Sequence, residues 1–186
     1  MTTKPRRFLA LSLLFIALIQ SAALAKIVYD RVTLLRTGRE VVLKLVPRDP
    51  RDPFKGYYSS LNYDISRLDR RLIAGNRTDF SPGDTAYVVL RAGPDGHAVA
   101  ASLYPSMPVE MPGDLIARGR VSSVAPDRID LTYGIEEFYV PEADAARLDD
   151  IPVDSIRIVA AAGADGELAI KRLLVDGKPA YEEPPF

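Results

Sequence analysis

The chain has 186 residues, with 24 basic residues against 25 acidic, no Cys, no Trp and a single His. So even a balance gives no electrostatic case for nucleic acid as a partner. The missing Cys removes disulfides, thiolate catalysis and Cys-ligated metal, and one His cannot build a multi-His metal site within one chain.

The N-terminus reads Lys4, Arg6 and Arg7, then Phe8 to Ala25 without a charge. As a helix that run is roughly 27 Å long, close to the hydrocarbon thickness of a bilayer. Two readings fit it. Ala23-Leu24-Ala25 makes a passable cleavage site for a secretory signal. Against cleavage, the run is longer than a usual signal core and continues into Ile27, Val28, Val32, Leu34 and Leu35, which favours an uncleaved anchor. Cations stand on both sides of the span, with Lys26, Arg31, Arg36 and Arg39 following it, so counting them does not fix orientation. The short basic leader favours an N-in chain with its body outside.

The expected organisation is an anchor or signal at 1–25, a connector at 26–39, one β-rich domain at 40–180 and a loose tail at 181–186. The part beyond the apolar run is long enough for one modest core. The connector is basic and partly amphipathic; a stalk lifting the domain off the membrane is the favoured reading over a surface-lying helix. Glu40 to Val46 reads as the first strand.

Pro47, Pro50 and Pro53 then recur every third residue, the period of a polyproline II helix. In that geometry Arg48 and Arg51 share one edge, and Asp49 and Asp52 another. The segment is a rigid spacer or a display of fixed charges for a partner. Gly56 permits a tight entry into the strand Tyr57 to Ile65. Alternation places Tyr57, Ser59, Leu61 and Tyr63 on one side, with Leu61 and Tyr63 toward the core. Tyr58 looks elsewhere. Tyrosines here suit an interface, but half-buried Tyr is also ordinary strand material, the weightier alternative.

Asp49-Pro50-Arg51-Asp52 followed by Gly56-Tyr57-Tyr58-Ser59-Ser60-Leu61-Asn62-Tyr63 resembles the signature of the bacterial membrane-anchored GDYXXLXY proteins. Gly56, Tyr58, Leu61 and Tyr63 match the named positions, while Tyr57 stands where that family has Asp. The likeness extends to the N-terminal anchor and to Tyr133-Gly134-Ile135-Glu136 running on through Phe138 to Glu142. The resemblance implies a membrane-tethered protein of unestablished function, often encoded beside a multi-pass membrane protein.

Downstream, Ser66 to Asp79 is charged, with room for one helical turn. Thr85–Arg91 and Ala98–Tyr104 form a hairpin across Ala92 to Gly96, then Leu115–Val124 and Arg128–Tyr133 a second across Ala125-Pro126-Asp127. Glu137 to Val140 is a short strand. Pro141 suits the first position of a helix ending near Asp150. Ser155–Ala160 and Glu167–Val175 pair around Gly163 to Gly166. The whole predicts a mainly β, antiparallel meander closing into a small barrel or sandwich with one short helix.

Catalytic chemistry is thinly represented. A Ser–Lys protease dyad lacks its base, because no Lys occurs between Lys55 and Lys171. Paired carboxylates for glycoside hydrolysis are conceivable among Asp49, Asp52, Glu136, Glu137 and Glu142, but a strand sends Glu136 and Glu137 to opposite faces. Asp95 and Asp165 sit in turns whose acidic density falls short of a Ca²⁺ loop, and His97 reads as a surface residue. No cofactor or metal is expected. The expectation is a non-enzymatic, membrane-tethered β domain contacting another membrane or envelope protein. Asp49, Arg51, Asp52, Gly56, Tyr58, Leu61, Tyr63, Tyr133, Gly134 and Glu136 are its candidate motif and interaction residues. The alternative is an envelope-acting hydrolase using Asp49, Asp52 or Glu136.

Overall fold

The computed structural model describes residues 4–46, 59–75, 79–109, 112–138 and 151–183. Asp49, Arg51, Asp52, Gly56, Tyr58, the proline-spaced segment and the helix expected from Pro141 lie outside them.

Helix α1 runs unbroken from Lys4 to Thr37, about 51 Å at the α-helical rise. Its only proline, Pro5, falls in the first turn, where no intrahelical N–H is needed. Side chains from Leu11 to Tyr29 are exposed around its whole circumference, including Leu13, Phe15, Ile16, Leu18, Ile19 and Leu24. Leu11–Thr37 is long and apolar enough to cross a membrane. The helix ends at Gly38, whose N–H donates to the Leu34 carbonyl at 2.9 Å. A Cβ there would sit 2.5 Å from that oxygen and 2.9 Å from Ala161 Cβ, so the chain turns where only glycine fits.

Eleven strands follow among the described residues. β1 (Arg39–Lys44), β9 (Ile156–Ala162), β10 (Leu168–Val175) and β11 (Lys178–Glu182) form one antiparallel sheet in the order β1-β9-β10-β11. β3 (Arg67–Asp69), β4 (Thr85–Ala92), β5 (Ala98–Tyr104), β6 (Leu115–Val124) and β7 (Arg128–Thr132) form a second, in the order β3-β7-β6-β4-β5. β2 (Ser59–Ser60) and β8 (Glu137–Phe138) make a two-stranded ladder between them in sequence. The inner faces share one core. Val41, Leu43, Ile158, Ala160 and Ile170 come from the first sheet, and Val88, Leu90, Val121, Ile129 and Leu131 from the second. The expected mainly β, two-sided body is therefore present.

Its wiring departs from a meander, because β1 pairs with β9 across the length of the domain rather than with its sequence neighbour. The outer face of the first sheet is covered at one end by the helix. Leu34 and Leu35 pack on Ala161 and Ala169 in a small second cluster. Small residues in the strands let the helix approach, so of the connector expected at 26–39 the end at Leu34 and Leu35 is docked on the body, while 26–31 continue as exposed helix.

Four local readings need correction. Among its described residues Ser66 to Asp79 holds the one helical turn it had room for, the 3₁₀ turn Arg70–Leu72, but also strand β3, and a further 3₁₀ turn, Asp64–Ser66, leads into it. The strand expected over Tyr57–Ile65 is regular only at Ser59–Ser60 among the described residues; beyond it Tyr63 makes an isolated bridge to Leu45. Tyr181 and Glu182, expected in a loose tail, belong to edge strand β11, where Pro179 is tolerated. His97 is 7% exposed rather than on the surface.

Candidate functional site

Leu61, Tyr63, Tyr133, Gly134 and Glu136, far apart in sequence, come together in one junction, with Leu61 and the two tyrosines buried and Gly134 at the surface. Tyr63 is 0% and Tyr133 6% exposed. Their hydroxyls cross: Tyr63 Oη donates to the Ile135 carbonyl at 2.6 Å, and Tyr133 Oη donates to the Ile65 carbonyl at 2.7 Å. The Leu61 N–H donates to the Glu136 carbonyl at 2.7 Å, and the Val46 N–H to the Asn62 carbonyl at 2.9 Å. Each segment thus satisfies the other's main chain where neither forms a regular ladder, as buried backbone must.

The 133–136 turn is held from within. Gly134 has φ +78°, a left-handed conformation that glycine adopts without strain. Both Glu136 carboxylate oxygens accept main-chain N–H groups, one from Tyr133 and one from Gly134, the latter at 2.9 Å. Gly119 supplies the space beneath: a Cβ there would stand 3.1 Å from the Tyr133 ring. Burial first, and the Glu136 charge second, push both phenols above their usual range. They remain un-ionised donors at physiological pH.

This junction holds rather than reacts. A protonated phenol bound to a carbonyl is no nucleophile, and a carboxylate engaged by two amides is poorly placed to shuttle protons. Tyr63 faces the core, as its alternation with Leu61 implied, and offers no ring to a partner. Among the described residues no group of three or more His, Asp or Glu side chains is arranged to hold a metal ion.

Polar structure that sequence reading missed lies around the helix end. Arg91 Nε donates to Asp114 Oδ1 at 2.8 Å, and Arg39 Nη1 donates to the Asp114 carbonyl at 2.9 Å, tying the start of β1 to the second sheet. A β-bulge between Ile170 and Arg172 turns the consecutive cations Lys171 and Arg172 onto Glu40, with Lys171 Nζ at 2.8 Å from its carboxylate. No local spacing announces either arrangement, because partners are separated by up to the full length of the domain.

Two grooves flank the last turns of α1. One, of about 580 Å³, is bounded by Tyr29, Asp30 and Thr33 of the helix, by Leu115 and Ile116, and by the Gly163–Glu167 turn. The other, of about 350 Å³, lies between Arg31 and the Gly134–Glu137 segment, with Tyr181 and Glu183.

A family model described as GDYXXLXY protein matches residues 20–173. No curated protein and no solved structure matches the chain.

Proposed function

The chain belongs to the GDYXXLXY family, and from that premise we propose that it is a membrane-tethered, non-enzymatic β domain that associates with another membrane or envelope protein. One observation carries this reading: a 34-residue helix, uncharged around its circumference from Phe8 to Ala25, is fused without a linker to a β body through Leu34, Leu35 and Gly38. Leaving that surface in water is costly at about 25 cal/mol per Å², and a bilayer removes the cost. In the proposed arrangement the helix is a signal anchor in the bacterial inner membrane and the body stands on the periplasmic side.

The motif supports a contact role for its first half only. Leu61, Tyr63, Tyr133, Gly134 and Glu136 are spent on the fold, and the proposal assigns the partner contact to Asp49, Arg51, Asp52 and Tyr58. Glu136, one of three acids the hydrolytic alternative would draw on, is engaged by main-chain amides, which leaves that alternative resting on Asp49 and Asp52.

The test is stoichiometric co-purification from detergent-solubilised membranes with wild-type chain, Tyr58→Ala, Arg51→Ala and Asp52→Asn. Loss of one companion band with the first two, at unchanged melting temperature, supports the contact role. A companion retained by both substitutions refutes it, and a hydrolytic activity lost only with Asp52→Asn would replace the reading with an enzyme.

A further inference from the structure

One side chain in the apolar stretch of α1 has hydrogen-bonding capacity that its own helix does not meet. Between Phe8 and Ala25 the polar residues are Ser12, Gln20 and Ser21. A serine hydroxyl is satisfied by a carbonyl one turn back in the same helix. A glutamine carboxamide carries two donors and an acceptor and needs more. The residues one turn from Gln20 on either side are Ile16, Ala17, Ala23 and Leu24, which offer it no polar side chain. Gln20 itself is exposed on the helix surface. With a hydrocarbon core of about 20 residues counted from Phe8, Gln20 lies about 4 Å from the midplane and about 11 Å from the nearer boundary, beyond the reach of its side chain. Water is absent at that depth, so only another polar group within the membrane satisfies the amide.

Its direction decides what can reach it. At about 100° per residue, Gln20 projects between the directions of Leu34 and Leu35, fourteen and fifteen residues on, and within about 20° of Arg31. Leu34 and Leu35 pack on Ala161 and Ala169, and Arg31 borders the smaller groove with Ile135 and Tyr181. The β body therefore overhangs the Gln20 side of the helix. Leu18 points about 160° away, in the direction of Arg36, which is exposed five full turns on. Consider a second copy packed Gln20 to Gln20 about a two-fold axis along the membrane normal. Its body would fall into the space that the first body fills. A helix without such a body meets no obstacle, and Ala17 and Ala23, flanking the amide, let its backbone approach.

Resting on the membrane-tethered reading above, we propose that the Gln20 face of α1 is the docking site for a transmembrane helix of a different protein. That helix presents a hydrogen-bonding side chain, an amide or a hydroxyl, near mid-bilayer and ends at the membrane surface beneath the β body. The Gln20 carboxamide bonds to that side chain, Ala17 and Ala23 permit the close approach, and the overhanging body excludes a copy of this chain.

The experiment is energy transfer in phosphatidylcholine vesicles from the full chain, carrying a donor at Thr3→Cys, to acceptor-labelled synthetic Leu-rich transmembrane helices with either Asn or Leu at mid-length. The chain has no other Cys to label. Flotation of the chain with the vesicles reads the membrane-tethered premise first. Half-maximal transfer should come at about three- to tenfold lower density of the Asn helix than of the Leu helix. Gln20→Leu should remove that difference and Gln20→Asn should keep it. Donor- and acceptor-labelled copies of the chain, mixed, should show no transfer beyond chance. The swap Gln20→Leu/Leu18→Gln moves the amide to the side away from the body, and its copies should associate. Equal transfer to both helices, a difference that survives Gln20→Leu, wild-type copies joined by a contact that Gln20→Leu removes, or swapped copies that stay apart each overturn the proposal and leave the membrane reading standing. A chain that does not float with the vesicles overturns both.

Discussion

Removing a single oxygen from either tyrosine of the crossed pair tests whether the motif builds the fold. Tyr63→Phe leaves the ring in place and strands the buried Ile135 carbonyl, and Tyr133→Phe does the same to Ile65. An acceptor left unpaired in the interior costs about 1–3 kcal/mol. For a body of this size each kcal/mol moves the melting temperature by about 2–4 °C, so each single variant should melt roughly 2–12 °C below wild type. Because both bonds cross the same 63–66/133–136 junction, the double variant should lose less than the sum, with a coupling of at least about 0.5 kcal/mol. Near-UV circular dichroism of the full chain in nanodiscs is the assay, since nine Tyr and no Trp make that signal a report on tyrosine surroundings. Tyr29→Phe, on the exposed helix surface, is the control and should not move. Single variants that melt with wild type, or that add without coupling, would refute the reasoning. Loss of a partner at unchanged stability would instead return Tyr63 to the contact surface.

Three further outcomes follow from the same geometry. Gly134→Ala should cost about 1–2 kcal/mol through its left-handed backbone alone, because an added Cβ meets nothing within 4 Å; urea unfolding midpoints read this. Gly38→Val should lift the helix end off Ala161, and paired spin labels at Tyr29→Cys and Lys178→Cys, unique in a chain without Cys, should change from a narrow to a broad distance distribution. Hydrogen bonding by Lys171 holds the Glu40 carboxyl below its ordinary 4.5, and hydrogen bonding by Arg91 holds Asp114 below 3.8. Carboxyls depressed in the folded state add stability above their unfolded values and lose it as pH falls through the folded ones. The melting temperature should therefore be flat from pH 8 to 5 and fall below about pH 4.5. Glu40→Gln/Asp114→Asn should start lower and show the shallower acid limb.

What the sequence displayed and what it concealed divide by the range of the interaction. Turns such as Gly93-Pro94-Asp95-Gly96 and Gly163-Ala164-Asp165-Gly166 are local chemistry, so the hairpins β4–β5, β6–β7 and β9–β10 were legible within a residue or two. The helix was legible because an uninterrupted apolar run has no other use for so many exposed leucines. β3 was hidden by its charge, since Arg67 and Asp69 point outward and only Leu68 turns in. β11 was hidden by Pro179, which an edge tolerates and a central strand does not. The β1–β9 pairing and the bulge at Lys171 depend on partners more than a hundred residues away, and no window of sequence contains both. The motif itself was half legible. Alternation turned Leu61 and Tyr63 inward correctly, while the exchange with Tyr133 and the amide-capping role of Glu136 required the fold. His97 shows the converse, a polar residue beside a turn that nevertheless lies buried.

The account stands on α1 crossing a membrane while still joined to the β body. Alkaline carbonate extraction of membranes from cells expressing the full chain, followed by intact-mass measurement of the product, tests this most directly. The expected result is a chain confined to the membrane pellet with a mass that includes residues 4–37. A chain recovered in the aqueous fraction with the helix intact, or one cut after Ala25 and released, would contradict it.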